Sequence, residues 1–497
     1  MLVQGAILAS VALLGPAQTP VNAQTCSPPP EVDVTFAVVA DPQFGRGAGA
    51  CDAACRERYT RAVAAAINTI DQQTWPGHPV QGITVDGQSI GTVPFSGAGQ
   101  RMAPPEGVIV VGDLTEDRSL NNVGAGWRSP EFKTFTGLFE HESGQADGVR
   151  FPVYVGLGNH DLERFVDEDG QPGLAFSEDE ARQRIWDYVW DRHRGFPEVG
   201  LEPPVPVTNF DDQSYAYSWD WGHLHLVQLH TFGGDDAYHP SGLDWLEADL
   251  DAVGPDRPVI LFQHYGWDCF SDGGCFDRAW WTREQMVALN KALDGHNVIG
   301  VFHGHTHGRY PALPRFYTDQ YLELADPRQR DVAIFNLADA GQGYFAVVRV
   351  TAEAMDVTYG VVDETSTVTF SAENGFTMRL NQAPTAEAGG PYRVEAGGLV
   401  GFEGSGSDPE CGPVTFAWDF GGDGTVESTE QNPSFRATSD LDAAVRQDVL
   451  LRVCDQAGIC SDAWAMVDVV PGTATASPPD NGSFITRLIG ASPSTGD

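Results

Sequence analysis

Three imidazoles fall within five residues in Phe302-His303-Gly304-His305-Thr306-His307-Gly308. Histidine is the commonest metal ligand, and flanking glycines let a backbone approach a ligand closely. His305 and His307 are separated by one residue, so an extended chain would aim them to opposite sides. A loop running between two neighbouring ions can use that divergence, giving one imidazole to each. The competing reading is a polar loop with solvated histidines. Four other places in the chain favour the metal. Asp41 with Gln43, Asp113, Asn159-His160-Asp161 and His264 each follow a short apolar run, as the histidine loop does. Hard oxygen atoms with imidazoles form a mixed set suited to Zn, Mn or Fe rather than to Ca or a thiolate site. One shared carboxylate can bridge two ions about 3.5–4 Å apart, the spacing of a two-metal hydrolytic centre.

The runs that precede these residues read as buried strands: Val34–Ala40, Val108–Val111, Phe151–Val155, Pro258–Phe262 and Asn297–Phe302. Between them lie helical patterns. Arg56–Ile70 places Tyr59, Val63, Ala66, Ile67 and Ile70 on one face. Ser177-Glu-Asp-Glu180 is a capping box for a helix through Trp190, and Thr282–Gln285 caps another. Tyr215–His230 reads as a hairpin around Asp220-Trp221-Gly222, Leu243–Leu250 as a short helix, and residues 75–106 as a Gly/Pro-rich excursion. Alternating strands at Val332–Leu337, Tyr344–Val350 and Met355–Val361 finish the region. This order predicts an α/β domain, layered around a pair of mixed β-sheets flanked by helices. Ligands in such folds gather at the carboxyl ends of strands, where every candidate stands.

Asp41-x-Gln43, Gly112-Asp113, Gly158-Asn159-His160-Asp161, His264 and Gly304-His305-x-His307 resemble, in order, the five motifs of the calcineurin-like metallophosphoesterases. The resemblance covers about residues 33–370. It implies two divalent ions (Mn, Zn or Fe), with Asp41 and His307 on the first, Asp113 bridging, and Asn159, His264 and His305 on the second. It also implies hydrolysis of a phosphate ester by a metal-bridging hydroxide. His160 would act as acid or charge stabiliser, and Asp161 would orient its imidazole. The third position of the first motif is ordinarily His. Gln43 offers a weaker, neutral oxygen there, and the Asp-Pro-Gln-Phe-Gly string resembles a eukaryotic branch of the superfamily. Among the remaining candidates, His303 reads as a packed strand-end residue, and His223, His225 and His230 as core or rim. Asp117 and Arg118 read as a surface pair, and the aromatic residues around Cys269–Cys275 as pocket wall or core cap.

The 497-residue chain carries 69 acidic and 29 basic residues, a formal charge of -40. Such a surface repels nucleic acid and anionic lipid and attracts divalent cations. Residues 1–23 read as an export signal, with an apolar stretch Gly5–Gly15, a polar segment and the small-residue site Val21-Asn22-Ala23 but no basic start, and placement would be periplasmic, extracellular or secreted. No apolar run approaches the roughly 20 residues of a membrane span. Eight cysteines, three pairs of them close in sequence (51/55, 269/275, 454/460), agree with an oxidising compartment. A structural zinc site from residues 51, 55, 269 and 275 is the competing reading.

Near residue 381 the texture changes to short β-type segments separated by Gly/Asp turns, predicting an all-β, Ig-like sandwich over 383–470. Ala383-Pro384-Thr385-Ala386 near its start and Trp418-Asp419-Phe420 in its middle resemble the polycystic kidney disease (PKD) domain. That resemblance implies a spacer or a weak binding unit for a surface or polymer. Residues 471–497 read as a flexible tail. The combined expectation is an exported phosphoesterase. Its rival is a surface or adhesion protein that keeps the fold for binding alone.

Overall fold

The computed structural model describes residues 32–47, 51–77, 80–84, 89–116, 130–162, 178–234, 240–255, 257–266, 283–307, 315–316, 333–380, 384–408, 412–422, 424–437, 443–456 and 460–471. The signal region, Asp117, Arg118, Trp267, Phe270, Trp280, Trp281, Cys26, Cys269, Cys275, Cys411 and the tail beyond residue 471 lie outside them. The chain divides into two compact units, residues 30–381 and the part from residue 382 onward.

The first unit contains two sheets. Its strands, numbered in chain order, are β1 (Asp33–Val39), β2 (Val80–Thr84), β3 (Ser89–Val93), β4 (Val108–Val111), β5 (Val153–Gly156), β6 (Asn209–Phe210), β7 (Tyr217–Trp221) and β8 (Leu224–Gln228). They continue with β9 (Val259–Phe262), β10 (Val298–His303), β11 (Arg315–Phe316), β12 (Ala333–Asn336), β13 (Tyr344–Thr351), β14 (Ala354–Val362) and β15 (Val368–Arg379). One sheet has the order β3-β2-β15-β14-β13-β1-β4-β5, the other β11-β12-β10-β9-β8-β7-β6. β1, β4 and β5 run parallel, as do β8, β9, β10 and β12. The carboxyl ends of the parallel strands within each sheet therefore share one edge.

The central strands are apolar on both faces because both faces are covered. In β9, Ile260 and Phe262 join the core between the sheets, while Val259 and Leu261 face the helices Leu243–Val253 and Arg283–Leu293. Phe36 of β1 meets Phe262 edge-on at 6.1 Å and Trp221 at 5.5 Å, tying one sheet to the other. Phe302 stacks between Phe262 and Phe335. Burying side chains of this size contributes about 1.5–3 kcal/mol each, so the interior that fixes the strand ends is also where the unit's stability concentrates.

Five strands fall where none is expected, two of them the short β6 and β11. β2 and β3 occupy the Gly/Pro-rich excursion, and β15 continues to Arg379, past residue 370. The first helix runs Ala53–Ile67, beginning earlier than Arg56 because the Asp52 side chain caps it by accepting from the Cys55 N–H. Cys51, just before that helix, is bonded to Cys55, and Cys454 to Cys460. The first bond consumes two sulfurs that a zinc site would need as thiolates.

The second unit has a four-stranded sheet of β16 (Tyr392–Glu395), β21 (Cys460–Val470), β20 (Val445–Cys454) and β18 (Thr415–Asp419). A two-stranded sheet pairs β17 (Leu399–Gly401) with β19 (Ser434–Arg436). Its core is built on fully buried Trp418 with Phe402, Phe420, Val449, Leu451 and Val467. The alternating in/out pattern of β20 and β21 matches the all-β sandwich expectation.

Candidate metal centre

The site forms beyond the carboxyl ends of the parallel strands. The ladder between β1 and β4 continues into the following loops: Gln43 N–H donates to Asp113 O, Phe44 bridges Thr115, and Glu116 N–H donates to Phe44 O. Asp41 and Asp113 are thereby brought together, both fully buried. From the other sheet, Gly304 N–H donates to His264 O, and the His305 N–H reaches both Asp41 oxygens at 3.1 and 3.0 Å. Gly304 is required at that crossing, since a Cβ there would lie 2.5 Å from Asp41 Oδ2. Gly158 is required for the same reason, 2.2 Å from Asp113 Oδ1. Six of the eight non-glycine residues with positive φ among those described are Asp41, Gln43, Asp113, His230, His305 and His307.

Two sets of ligand atoms result, each within 4.8 Å of one another: Asp113, His264 and His305, and Asp41, Asp113 and His307. Asp113 belongs to both. His305 falls in one set and His307 in the other. Asn159 joins the first set, and Asp113 Oδ1, Asn159 Oδ1 and His305 Nδ1 each lie 3.2 Å from His264 Nε2. Neighbouring ligands of a tetrahedral ion with bonds near 2.1 Å are about 3.4 Å apart, so the donors present fit a divalent cation in type and spacing. The outward nitrogens are fixed by what the opposite nitrogens do. His264 Nδ1 donates to Val111 O at 2.9 Å, leaving Nε2 toward the set. His307 Nδ1 faces Asp339 Oδ2 at 2.9 Å, leaving Nε2 toward Asp41. Such partners orient a ligating imidazole and raise its basicity.

Electrostatics agree with a cation-binding pocket. Without an ion, burial pushes Asp41 up to about 6 against the pull of His307 and His264. Burial acts on Asp113 in the same direction, but the neighbouring His264 outweighs it and holds that carboxyl low. His264 itself is opposed by burial yet raised to about 9 by Asp113, and burial together with the His264 charge depresses His305 to about 2. These groups take their charges from one another, and a divalent ion would satisfy the carboxylates directly.

Two residues make contacts other than the expected ones. Gln43 does not present its oxygen to the ligand set: Nε2 donates to Asp113 Oδ2 at 3.0 Å, and Oε1 accepts from Arg46 Nη1 at 2.9 Å. A neutral amide between a carboxylate and a guanidinium satisfies both in this orientation. Asp161 does not orient the His160 ring through any described contact. Its oxygens accept from Leu114, Thr115 and Gly158 N–H groups at 2.9–3.3 Å, tying the loop after β4 to the loop after β5. His160 Nδ1 instead donates to Glu116 O at 2.5 Å, while its backbone N–H donates to Asp113 Oδ1. A main-chain acceptor has no sequence signature.

Asp339 and His230 are further residues of the same rim. Asp339 is fully buried and binds His307, Arg56 and the Gly341 N–H. It follows β12 just as Asp113 follows β4, so the strand-end rule could have found it. His230 follows β8; its Nδ1 accepts from Leu157 N–H at 3.2 Å, and its carbonyl accepts from His264 N–H at 2.6 Å. His303 is buried at the end of β10 with Nδ1 turned to Gly304 O.

The comparisons with known proteins address each unit. The family model described as calcineurin-like phosphoesterase matches residues 95–309, and that of the PKD domain matches 381–461. Asp41 and Gln43 precede the first match and are placed by geometry. No curated protein matches the sequence. Among solved structures, the PKD1 domain of Vibrio anguillarum Epp is 27% identical, covering 18% of this chain and 99% of its own, with a TM-score of 0.15. Vacuolar Protein Sorting 29 from Cryptosporidium parvum is 8% identical, covering 68% of this chain and 96% of its own, with a TM-score of 0.25. The chain thus carries a calcineurin-like phosphoesterase domain with a PKD domain after it.

Proposed function

We propose that the chain is an exported metallophosphoesterase that hydrolyses phosphate esters with two divalent ions, Mn, Zn or Fe. The observation that carries this reading is the pair of ligand sets sharing Asp113. Asp41, Asp113 and His307 would hold one ion, and Asp113, Asn159, His264 and His305 the other. When bound, the ions supply Lewis-acid polarisation of phosphoryl oxygens and a lowered pKa for a coordinated water. The chain's residues do the rest. His160 is anchored through Nδ1 to Glu116 O, so proton exchange with a leaving-group oxygen falls to Nε2. Asp161 braces the loops that carry Asp113 and His160, and Gln43 holds the remaining oxygen of Asp113. In domain terms the reading keeps residues 1–23 as export signal, 33–370 with the β15 extension as catalytic domain, 383–470 as a surface- or polymer-contacting sandwich, and 471–497 as tail.

The test is elemental analysis of purified protein together with hydrolysis of p-nitrophenyl phosphate and bis(p-nitrophenyl) phosphate under added Mn or Zn. Two bound ions with turnover lost in His264→Ala support the reading. Two bound ions without hydrolysis across a broad phosphate panel would support the binding-only alternative.

A further inference from the structure

Arg46 stands at the rim of the Asp41/Asp113/His307 set. The continued β1–β4 ladder puts it at one loop tip and Glu116 at the facing tip. One nitrogen makes every polar contact of its side chain among the described residues. Nη1 lies 2.9 Å from Gln43 Oε1, 3.7 Å from Glu116 Oε2 and 3.2 Å from His307 Nε2, the nitrogen offered to the ion, so with an ion bound the Gln43 bond is the one that holds Arg46. Its Nε and Nη2 donors make no hydrogen bond with a described residue. The side chain is 26% exposed, so the guanidinium is pinned by one corner and turns its remaining edge outward. Its nearest carboxylate, Glu116, is 34% exposed and beyond hydrogen-bond distance, so it does not saturate the charge. Glu116 Oε2 is also 3.9 Å from His160 Nδ1, so Arg46 and His160 approach the same oxygen of one residue.

A guanidinium presents parallel N–H donors that match two oxygens of one phosphate. A chain of formal charge -40 repels an anionic substrate, and a dianion more than a monoanion. We propose that Arg46 contacts the substrate, gripping non-bridging oxygens of a terminal phosphate dianion, and so selects phosphomonoesters over phosphodiesters. The inference rests on the phosphoesterase reading and names its substrate class. The Gln43–Arg46 bond gives the glutamine a role, since its carboxamide accepts from Arg46 while donating to Asp113.

The experiment uses full-length, Mn-loaded wild type, Arg46→Met and Arg46→Lys. Inorganic phosphate affinity is measured by calorimetry, bound Mn by elemental analysis, and kcat/KM on p-nitrophenyl phosphate and its bis-ester. Arg46→Met is expected to bind phosphate about 10- to 100-fold more weakly, the loss of a charge-assisted contact, with Mn content unchanged. Monoester kcat/KM should fall by a similar factor and diester kcat/KM by clearly less. Arg46→Lys should recover part of both losses by restoring charge without the fork. Unchanged phosphate affinity, equal losses on the two esters, loss of Mn, or a wild type that binds no phosphate would each overturn the inference. Phosphate binding that depends on Arg46 in a protein without hydrolysis would refute the enzyme reading and leave the contact standing.

Discussion

Asp339→Asn is the substitution with the most to decide. The Asp339 carboxylate is fully buried between the His307 ring and Arg56, whose side chain is itself only 4% exposed. Burial alone would push its pKa up, but the His307 hydrogen bond and the Arg56 charge outweigh that and hold the group below the usual carboxylate range. The carboxylate therefore stays charged at neutral pH. An asparagine has the same shape but no charge, and because His307 and Arg56 share Oδ2 while Gly341 N–H donates to Oδ1, its amide nitrogen must face either those two donors or the Gly341 N–H. Removing one partner from a buried ion pair costs about 3–5 kcal/mol. Replacing the charged partner of His307 by a neutral one should weaken the ion shared with Asp41 by about 10- to 100-fold. Denaturant unfolding of the metal-free protein reads the first effect, and Mn titration reads the second. The Asp339→Asn/Arg56→Met double variant, with no stranded charge, should recover a large part of the stability and none of the metal affinity. If Asp339→Asn keeps both stability and the affinity of the weaker ion, the assignment of Asp339 as the residue that positions His307 is wrong.

Other outcomes follow from neighbouring contacts. Asp113→Asn removes the carboxylate common to both ligand sets, so it should lose both ions by elemental analysis, whereas His307→Ala should lose one. Chelation should lower stability, because each ion at about 100 times its Kd adds about 2.7 kcal/mol; a denaturation midpoint indifferent to added Mn would argue against bound ions. His225 is clamped by Asp220 and Asp249 at 2.7 and 2.9 Å, and these bonds overcome burial to raise its pKa. That contribution is fully present below the unfolded value near 6.5 and lost as pH rises through the raised folded value. His225→Gln should flatten stability over that alkaline window, and an unchanged pH profile would count against the clamp. Asp161→Asn leaves either the Gly158 or the Thr115 N–H without its acceptor, since Leu114 N–H reaches both oxygens, and should cost about 1–3 kcal/mol. Because the His160–Glu116 bond is untouched, stability should suffer more than turnover per metal-loaded molecule.

The positions of the site residues were legible because strands buried on both faces must be continuous apolar runs, and the polar residue ending each run has to face something. Asp41, Asp113, Asn159, His264 and the His305/His307 loop follow that logic. Asp339 follows it too, but Ala338-Asp339-Ala340 has no metal-ligand texture. β15 was hidden by a bulge. Its pairing with β14 jumps from Ser371 to Phe376 while the partner moves only from Tyr359 to Val357. The extra residues include Asn374-Gly375, a pair that reads as a turn in sequence. The direction of the Gln43 amide was not legible, because it depends on Arg46, whose contacts with Gln43, His307 and Glu116 form only in the folded chain.

The backbone suggests why the site depends on all of these loops together. Six non-glycine residues of the rim adopt φ between 34° and 71°, a region that L residues occupy only when the surroundings compel it. At about 1 kcal/mol or more each, their sum is comparable to the roughly 5–15 kcal/mol that separates a typical folded domain from its unfolded chain. The compulsion comes from bonds between loops. Gln43 N–H is held by Asp113 O, His264 N–H by His230 O, Gly304 N–H by His264 O, Leu337 N–H by His303 O, and Ala340 N–H by Ala40 O. This set of bonds ties neighbouring loops within each sheet and crosses between the sheets at Ala340–Ala40. Each loop is strained by itself and fixed by the next, so the carboxylates and imidazoles are set before any ion arrives. A conformational cost that other sites meet on binding is here carried by the fold.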